Sequence, residues 1–249
     1  MSRQVKSRPR AIAAFDFEPG DLLADKYRVI EKLGRGWEGE VYLVREKSTG
    51  IERSAKLFFP QRNVGNRKVR FFAKKLHKLR SCPILIQYHT QEQIDYEGAA
   101  VTLLVSDFIE GELLADFVKR QPGRRLGFFQ GLHLLHGLAA GMEQLHGLGD
   151  YHGDLHDENI IIRRRGLGFE IRLLDLYHWG APSATNIRRD VLDMVRIFYD
   201  VLGGQSQYAK HPPEVKQICC GLKKNLICSK FRTAGQLRHH LETLDWESR

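Results

Sequence analysis

Residues 151–161 read YHGDLHDENII, which sets Asp154 and Asn159 five positions apart, between an apolar helical stretch and an apolar β-branched one. A carboxylate in the first position can accept the proton of an attacking hydroxyl. An amide oxygen in the second can hold a metal ion against a nucleotide phosphate. Both are steps of phosphoryl transfer. A further acid, Asp175, lies in IRLLDLYHWG, where it can join Asn159 on Mg²⁺. Hard oxygen ligands from two loops are what a phosphate-bound magnesium takes. Asp157 and Glu158 share the first loop and receive no catalytic role.

Upstream, Gly34, Gly36 and Gly39 form G-x-G-x-x-G, with Val41 two residues on. Alone, this run fits a hairpin turn as well as a ligand loop. Because it lies between two strands instead of opening a helix, it argues against a dinucleotide fold and for a lid whose backbone N–H groups cover phosphates. Trp37 at its tip could pack over substrate or stand exposed. Lys56 follows Val41 by fifteen residues in ERSAKLFF, and alternation turns it to the side of Ser54 and Phe58. A lysine on a buried face needs an anion. The α- and β-phosphates of ATP would serve, and a snorkelling edge lysine is the alternative.

Short strands must position these groups: YRVIEKL from Tyr27, EVYLVRE, a Ser48-Thr49-Gly50 turn, then ERSAKLFF, ILIQYHT and AAVTLLVSDF. Their alternation and bounding turn residues predict a five-stranded antiparallel sheet. A helix is expected from about Asn66 to Arg80, with Val69, Phe72, Leu76 and Leu79 on one face and Arg67, Lys68, Arg70, Lys74, Lys75, Lys78 and Arg80 on the exposed one. Beyond Glu112 the period turns helical. Leu126, Phe129, Leu132, Leu135, Leu138, Met142 and Leu145 predict one long buried stripe. A small hairpin (Ile160 to Ile162, Ile171 to Leu174) and helices over Ile187 to Leu202, Pro213 to Leu222 and Thr233 to Leu244 complete the α+β reading.

A hydrophobic fraction of 42% over 249 residues supports a real core, not a disordered chain. The formal charge of +9 suits polyanionic ligands, among them nucleotides and phosphorylated molecules, without choosing between them. No nucleic-acid motif accompanies it. Cys82, Cys219, Cys220 and Cys228 lack metal-site spacing, and no apolar run reaches the roughly 20 residues of a membrane span. A reduced, cytoplasmic protein is the expectation. Residues 1–20 are expected to be a flexible basic arm, followed by lobes at 21–108 and 109–249.

Taken in order, GRGWEGEV, Lys56 in the third strand, VSDFIEGEL, HGDLHDEN, DLY and RRDVLDMVRIFYDVLGG resemble the protein kinase-like superfamily, with FRTAGQLRHHL resembling its final subdomain. The resemblance covers about residues 22–246. It implies a bilobal fold with a five-stranded N-lobe, one N-lobe helix and a shortened, mainly helical C-lobe. ATP and Mg²⁺ are the implied cofactors. Adenine would lie between Leu33, Val41 and Ile161, its edge on the Asp107 to Ile109 backbone, with ribose on Glu112 and a small gatekeeper in Ser106. Asp154 and Lys56 become the catalytic pair, Asn159 and Asp175 the metal ligands, and Asp190 the acid that braces the catalytic loop.

Three departures qualify the resemblance. No acidic residue lies between Lys56 and Glu92, so the helix glutamate that pairs with the strand lysine in active members is missing from its place near Ala73 to Lys75. Asp175, Glu38 or Glu40 must complete the site, or nucleotide alone. HGD replaces HRD, and with His156 the loop resembles aminoglycoside, choline and lipopolysaccharide-core kinases. Only fourteen residues separate Asp175 from Asp190, too few for the usual peptide-docking segment, which leaves Arg232 without its usual partner. The expected activity is transfer of the ATP γ-phosphate to a hydroxyl, foremost Ser or Thr of a protein substrate, acidic or phosphorylated. The alternatives are a small-molecule or glycan kinase and a nucleotide-binding pseudokinase.

Overall fold

The computed structural model describes residues 11–177 and 180–244. The chain forms two compact units, one comprising the residues up to Arg80 with Ile86–Ile109, the other Ser81–Leu85 with the chain from Glu110 onward.

The first unit is an antiparallel sheet of β1 (Leu22–Leu23), β2 (Tyr27–Arg35), β3 (Gly39–Glu46), β4 (Glu52–Phe58), β5 (Tyr88–Tyr96) and β6 (Ala99–Asp107), in the order β1-β2-β3-β4-β6-β5. It has six strands where the alternation predicted five, because the two-residue β1 is too short to show a period. The strand expected from ILIQYHT begins only at Tyr88 and runs on to Tyr96. Helix α1 (Arg67–Lys78) covers one face of the sheet, where Phe58, Val69 and Leu104 are buried with Phe72, Ala73 and Tyr88 around them.

Chain expected to be a mobile arm covers the opposite face. Ile12, Phe15 and Phe17 pack onto Tyr42, Leu57, Phe59 and Tyr96. The Phe15 ring stacks on Phe59 at 5.3 Å and meets Tyr96 edge-on at 5.2 Å. The fully buried Glu40 carboxylate accepts the Phe15 N–H at 3.2 Å and faces the Lys32 ammonium at 2.7 Å. The Tyr42 hydroxyl lies 2.7 Å from that carboxylate and 2.9 Å from the Phe15 carbonyl. Burial and then the Glu40 carboxylate push the Tyr42 phenol up, so it stays a donor. Gln61 and Arg35 bond the carbonyls of Ile12 and Ala13 at 2.6 and 2.7 Å. The flexible arm therefore does not extend to residue 20: three aromatic rings and a buried acid repay the ordering of 12–17. Residues 1–10 lie outside the described part.

In the second unit, β7 (Glu112–Leu113) leads into α2 (Leu114–Arg120) and the long α3 (Phe128–Gly147). The hairpin of β8 (Ile160–Arg165) and β9 (Gly168–Leu173) pairs with β7 in a three-stranded sheet. Then come α4 (Ala184–Val201), α5 (Gly204–Tyr208), α6 (Pro213–Cys219), α7 (Lys224–Lys230) and α8 (Ala234–Glu242). Ser183 and Thr233 cap α4 and α8 by accepting N–H groups three residues on. In α3, Gly141 leaves room for Ile84 and Gly137 for Ile171, where a Cβ would collide. The buried stripe of α3 runs through Leu134, Leu135, Leu138, Met142 and Leu145. Phe129, expected in it, is 59% exposed in the first helical turn, its ring on Phe128. Helices α2, α5 and α7, of five to seven residues, went unpredicted because so few residues complete too few turns to show a period. Among the described residues no helix is long and apolar enough to cross a membrane.

The strap over the sheet yields a direct test. Phe15→Ala should lower unfolding stability by about 3 kcal/mol or more, as deletion of a buried phenylalanine does, measured by denaturant melts of the full chain. A mobile arm would give no change.

Candidate active site

The HGD loop is built around α4. Asp190, fully buried, accepts the His152 and Gly153 backbone N–H groups, each at 2.9 Å, and its Oδ2 lies 3.0 Å from Nε2 of His146. Gly153 sits at φ +84°, which glycine takes without strain and an arginine would not. The buried His152 then ties the following loop: its Nε2 lies 2.8 Å from the Leu174 carbonyl, and its own carbonyl accepts the Tyr177 N–H at 2.8 Å. Asp175 is held between those two bonds at φ +45°, a left-handed turn that leaves the residue exposed. Leu174 N–H also bonds the Asn159 carbonyl at 2.9 Å, joining the backbones of the two expected metal ligands.

Asn159 is almost fully buried. Its amide nitrogen donates to the Asp154 carbonyl at 2.9 Å and lies 2.8 Å from Nε2 of His156. With the nitrogen so committed, the amide oxygen is the face left for a cation. An amide oxygen and a carboxylate are the hard donors that Mg²⁺ takes, so Asn159 and Asp175 are chemically suited to hold it. Asp154 and His156 are both partly exposed, with Oδ2 and Nε2 3.8 Å apart. Asp193, one helical turn beyond Asp190, has its carboxyl pushed up to about 6, first by burial and then by Asp190, with Asp154 adding to the rise. Asp157 and Glu158 are exposed in a short turn, and Arg232 is exposed.

In the first unit, the glycine run closes a tight hairpin between β2 and β3, with Gly34 opposite Val41 and Gly36 N–H on the Gly39 carbonyl at 2.9 Å. A Cβ at Gly39 would overlap the Leu57 carbonyl, whereas Gly34 and Gly36 face open space. Lys56 pairs with Val41 and Leu104 in the ladder and turns to the α1 face, as alternation predicted. Its ammonium lies 5.4 Å from the Phe58 ring centroid and 5.2 Å from that of Phe72, with the Glu38 carboxylate at 3.4 Å. Glu38 also binds Lys68 of α1 at 2.5 Å. Trp37, 62% exposed, lies between the Arg62 guanidinium at 4.2 Å and the Lys68 ammonium at 4.4 Å.

Two expectations about α1 are corrected. Lys75 is buried, its ammonium 5.7 Å from the Phe71 ring centroid, and Lys68 turns toward the hairpin tip. The exposed basic face is therefore Arg67, Arg70, Lys74, Lys78 and Arg80. Of the three acids offered as partners of Lys56, Glu38 makes a pair and Glu40 is consumed beneath the N-terminal strap. Lys68, Arg62 and the His146–Asp190 contact escaped the sequence, since partners 25 to 44 residues apart leave no local pattern.

Asp107 donates its N–H to the Gln87 carbonyl at 3.0 Å, and its carboxylate meets Arg53 at 2.8 Å and His89 at 2.6 Å. Ile109 is half-buried and Ser106 buried. In the second unit Ile161 pairs with Leu113, and the Glu112 carboxylate is held by Arg120, which a ribose would have to share.

The protein kinase domain family matches residues 27–196, about two thirds of the sequence. The chain belongs to that family. It is similar to the serine/threonine-protein kinase pkn2 of Myxococcus xanthus, 31% identical over 63% of this chain and 18% of that protein. Against the cyclin-dependent kinase B2-2 of Arabidopsis thaliana it is 25% identical over 77% of this chain and 62% of the other. The chain thus spans less than two thirds of either relative. Among solved structures, the Mycobacterium tuberculosis PknI kinase domain covers 92% of this chain and 99% of its own with a TM-score of 0.65 at 17% identity, a likeness of fold.

Two outcomes follow. Gly39→Ala must move the Leu57 carbonyl and should cost about 1–3 kcal/mol of stability, whereas Gly36→Ala should melt like wild type and weaken nucleotide binding; a calorimetric melt and a nucleotide titration read both. For Asp193, a folded-state value above the ordinary 3.8 means that the native state binds the proton more tightly. Its stabilising contribution is complete below about pH 4 and lost as pH rises through about 6. Asp193→Asn should gain melting temperature relative to wild type across that interval, and a constant difference would exclude it.

Proposed function

We propose that this kinase-family protein transfers the γ-phosphate of MgATP to a hydroxyl, with Ser or Thr of a protein as the acceptor. The observation that carries the reading is the Asp190-braced loop, which fixes Asp154 beside Asn159 and, through His152, the backbone on both sides of Asp175. Mg²⁺, when bound, neutralises charge building on the phosphate oxygens, and Asn159 and Asp175 are the residues to hold it. Lys56 and the N–H groups of the glycine hairpin bind phosphates. The adenine edge is assigned to the Asp107 and Ile109 backbone, with Val41 against the ring. Asp154 takes the acceptor proton and orients the hydroxyl, so catalysis is mainly positioning and charge stabilisation. The exposed cations of α1 suit an acidic or phosphorylated substrate segment, whose phosphorylation should then fall steeply as salt rises.

A second reading, a small-molecule or glycan acceptor, draws on one observation: α4 already begins at Ala184, so little chain after Asp175 is left to dock a peptide. The pseudokinase reading rests on the missing helix acid and on the basic face of α1. The contact of Glu38 with Lys56 weakens the first ground and leaves the second.

With radiolabelled ATP and cell lysate as acceptor, Asp154→Asn should retain MgATP binding and lose about 10²- to 10⁴-fold in turnover, the usual value of general-base assistance. Asp175→Ala should lose transfer together with the magnesium dependence of nucleotide binding. Wild-type turnover in the first variant, or equal MgATP affinity in the second, would reject the assigned role. Label in small molecules and not in protein would decide for the second reading.

A further inference from the structure

The sequence of α1 offers Lys56 no carboxylate, and the structure places one there from a different element. We infer that Glu38, carried by the glycine hairpin itself, is a positioning residue for Lys56, and that Lys68 of α1 holds Glu38 in place. The inference rests on the reading of Lys56 as a phosphate-binding lysine.

Three observations fix the geometry. The Glu38 backbone is pinned, because its carbonyl accepts the Phe59 N–H at 2.9 Å, one step past the Gly39–Phe58 pair of the ladder. Its carboxylate spans two cations, Lys56 at 3.4 Å and Lys68 at 2.5 Å, and all three side chains are at most one-third exposed. The α1 residue that approaches the Lys56 ammonium is Phe72, ring centroid at 5.2 Å, which can border a cation but not neutralise it. With rings of Phe58 and Phe72 on two sides, the Glu38 carboxylate brings a negative charge to the ammonium from the hairpin side. The lid and the lysine clamp are then one piece, since the acid that orients Lys56 sits at the tip of the phosphate loop. Helix α1 acts through a cation, Lys68, which also flanks Trp37 and so fixes both tip side chains at once.

The test uses the full chain and MgATP, with calorimetric Kd and the thermal midpoint as separate readouts. Glu38→Gln should weaken MgATP on the order of tenfold, the scale of one charge-assisted contact, with its midpoint little changed; Glu38→Asp should recover part of the loss. Adding Phe72→Glu to Glu38→Gln moves a carboxylate to α1 beside Lys56 and should restore most of the affinity. If that double variant does not fold, Lys56→Met replaces it: in that background Glu38→Gln should have no further effect on Kd. Equal or tighter MgATP binding by Glu38→Gln would overturn the inference, as would a folded double variant without recovery or an undiminished Glu38 effect without Lys56. Wild-type protein that bound no MgATP would overturn the kinase reading and this inference with it, whereas failure confined to the variants falls on the inference alone.

Discussion

The buried carboxylate of Asp190 is the interaction on which the second unit's chemistry depends. A carboxyl group with no solvent access is tolerable only when polar partners surround it, and here two backbone N–H groups and the His146 imidazole do so. The cost of burying it is thereby turned into rigidity: the HGD backbone cannot move without stripping that group of its partners. From there the order propagates by short steps, through His152 to the backbone on both sides of Asp175, and from Leu174 to Asn159. Asp154 itself stays partly exposed.

The first unit solves a different problem. A six-stranded sheet has two apolar faces and a single helix to cover them. The chain from Ile12 to Phe17 covers the second face, with Glu40 and Tyr42 bonding its backbone where it would otherwise be buried unpaired. Glu40 and Glu38 stand two residues apart in the same hairpin and serve separate ends. One is sealed under the strap; the other reaches Lys56 and α1.

A kinase-family chain without a helix acid keeps its lysine paired because the lysine requires only a carboxylate at the right point in space. The glycine hairpin supplies it at the cost of loading the tip with Trp37 and Glu38 and surrounding them with Arg62 and Lys68. The excess positive charge of α1 is thus partly internal, since Lys68 and Lys75 are turned away from the solvent face that the sequence pattern gave them.

Whatever depends on local periodicity or on an ordered run of motifs was legible in the sequence: the antiparallel strands, the face on which Lys56 lies, the long helices, and the positions of Asp154, Asn159, Asp175 and Asp190. Alternation and the 3.6-residue period are properties of neighbours in the chain. Helices α2, α5 and α7 and the two-residue β1 were not legible, because so few residues complete too few turns to show a period, whereas α6, just as short, was announced by Pro213. The strap was missed because a basic composition hid two phenylalanines whose value lies in rings up to 81 residues away. Only the tertiary structure could decide which acid meets Lys56 and which lysines of α1 face water. Those outcomes rest on where a hairpin tip and a helix turn come together, and Coulomb attraction over 3 Å has no signature in the order of residues.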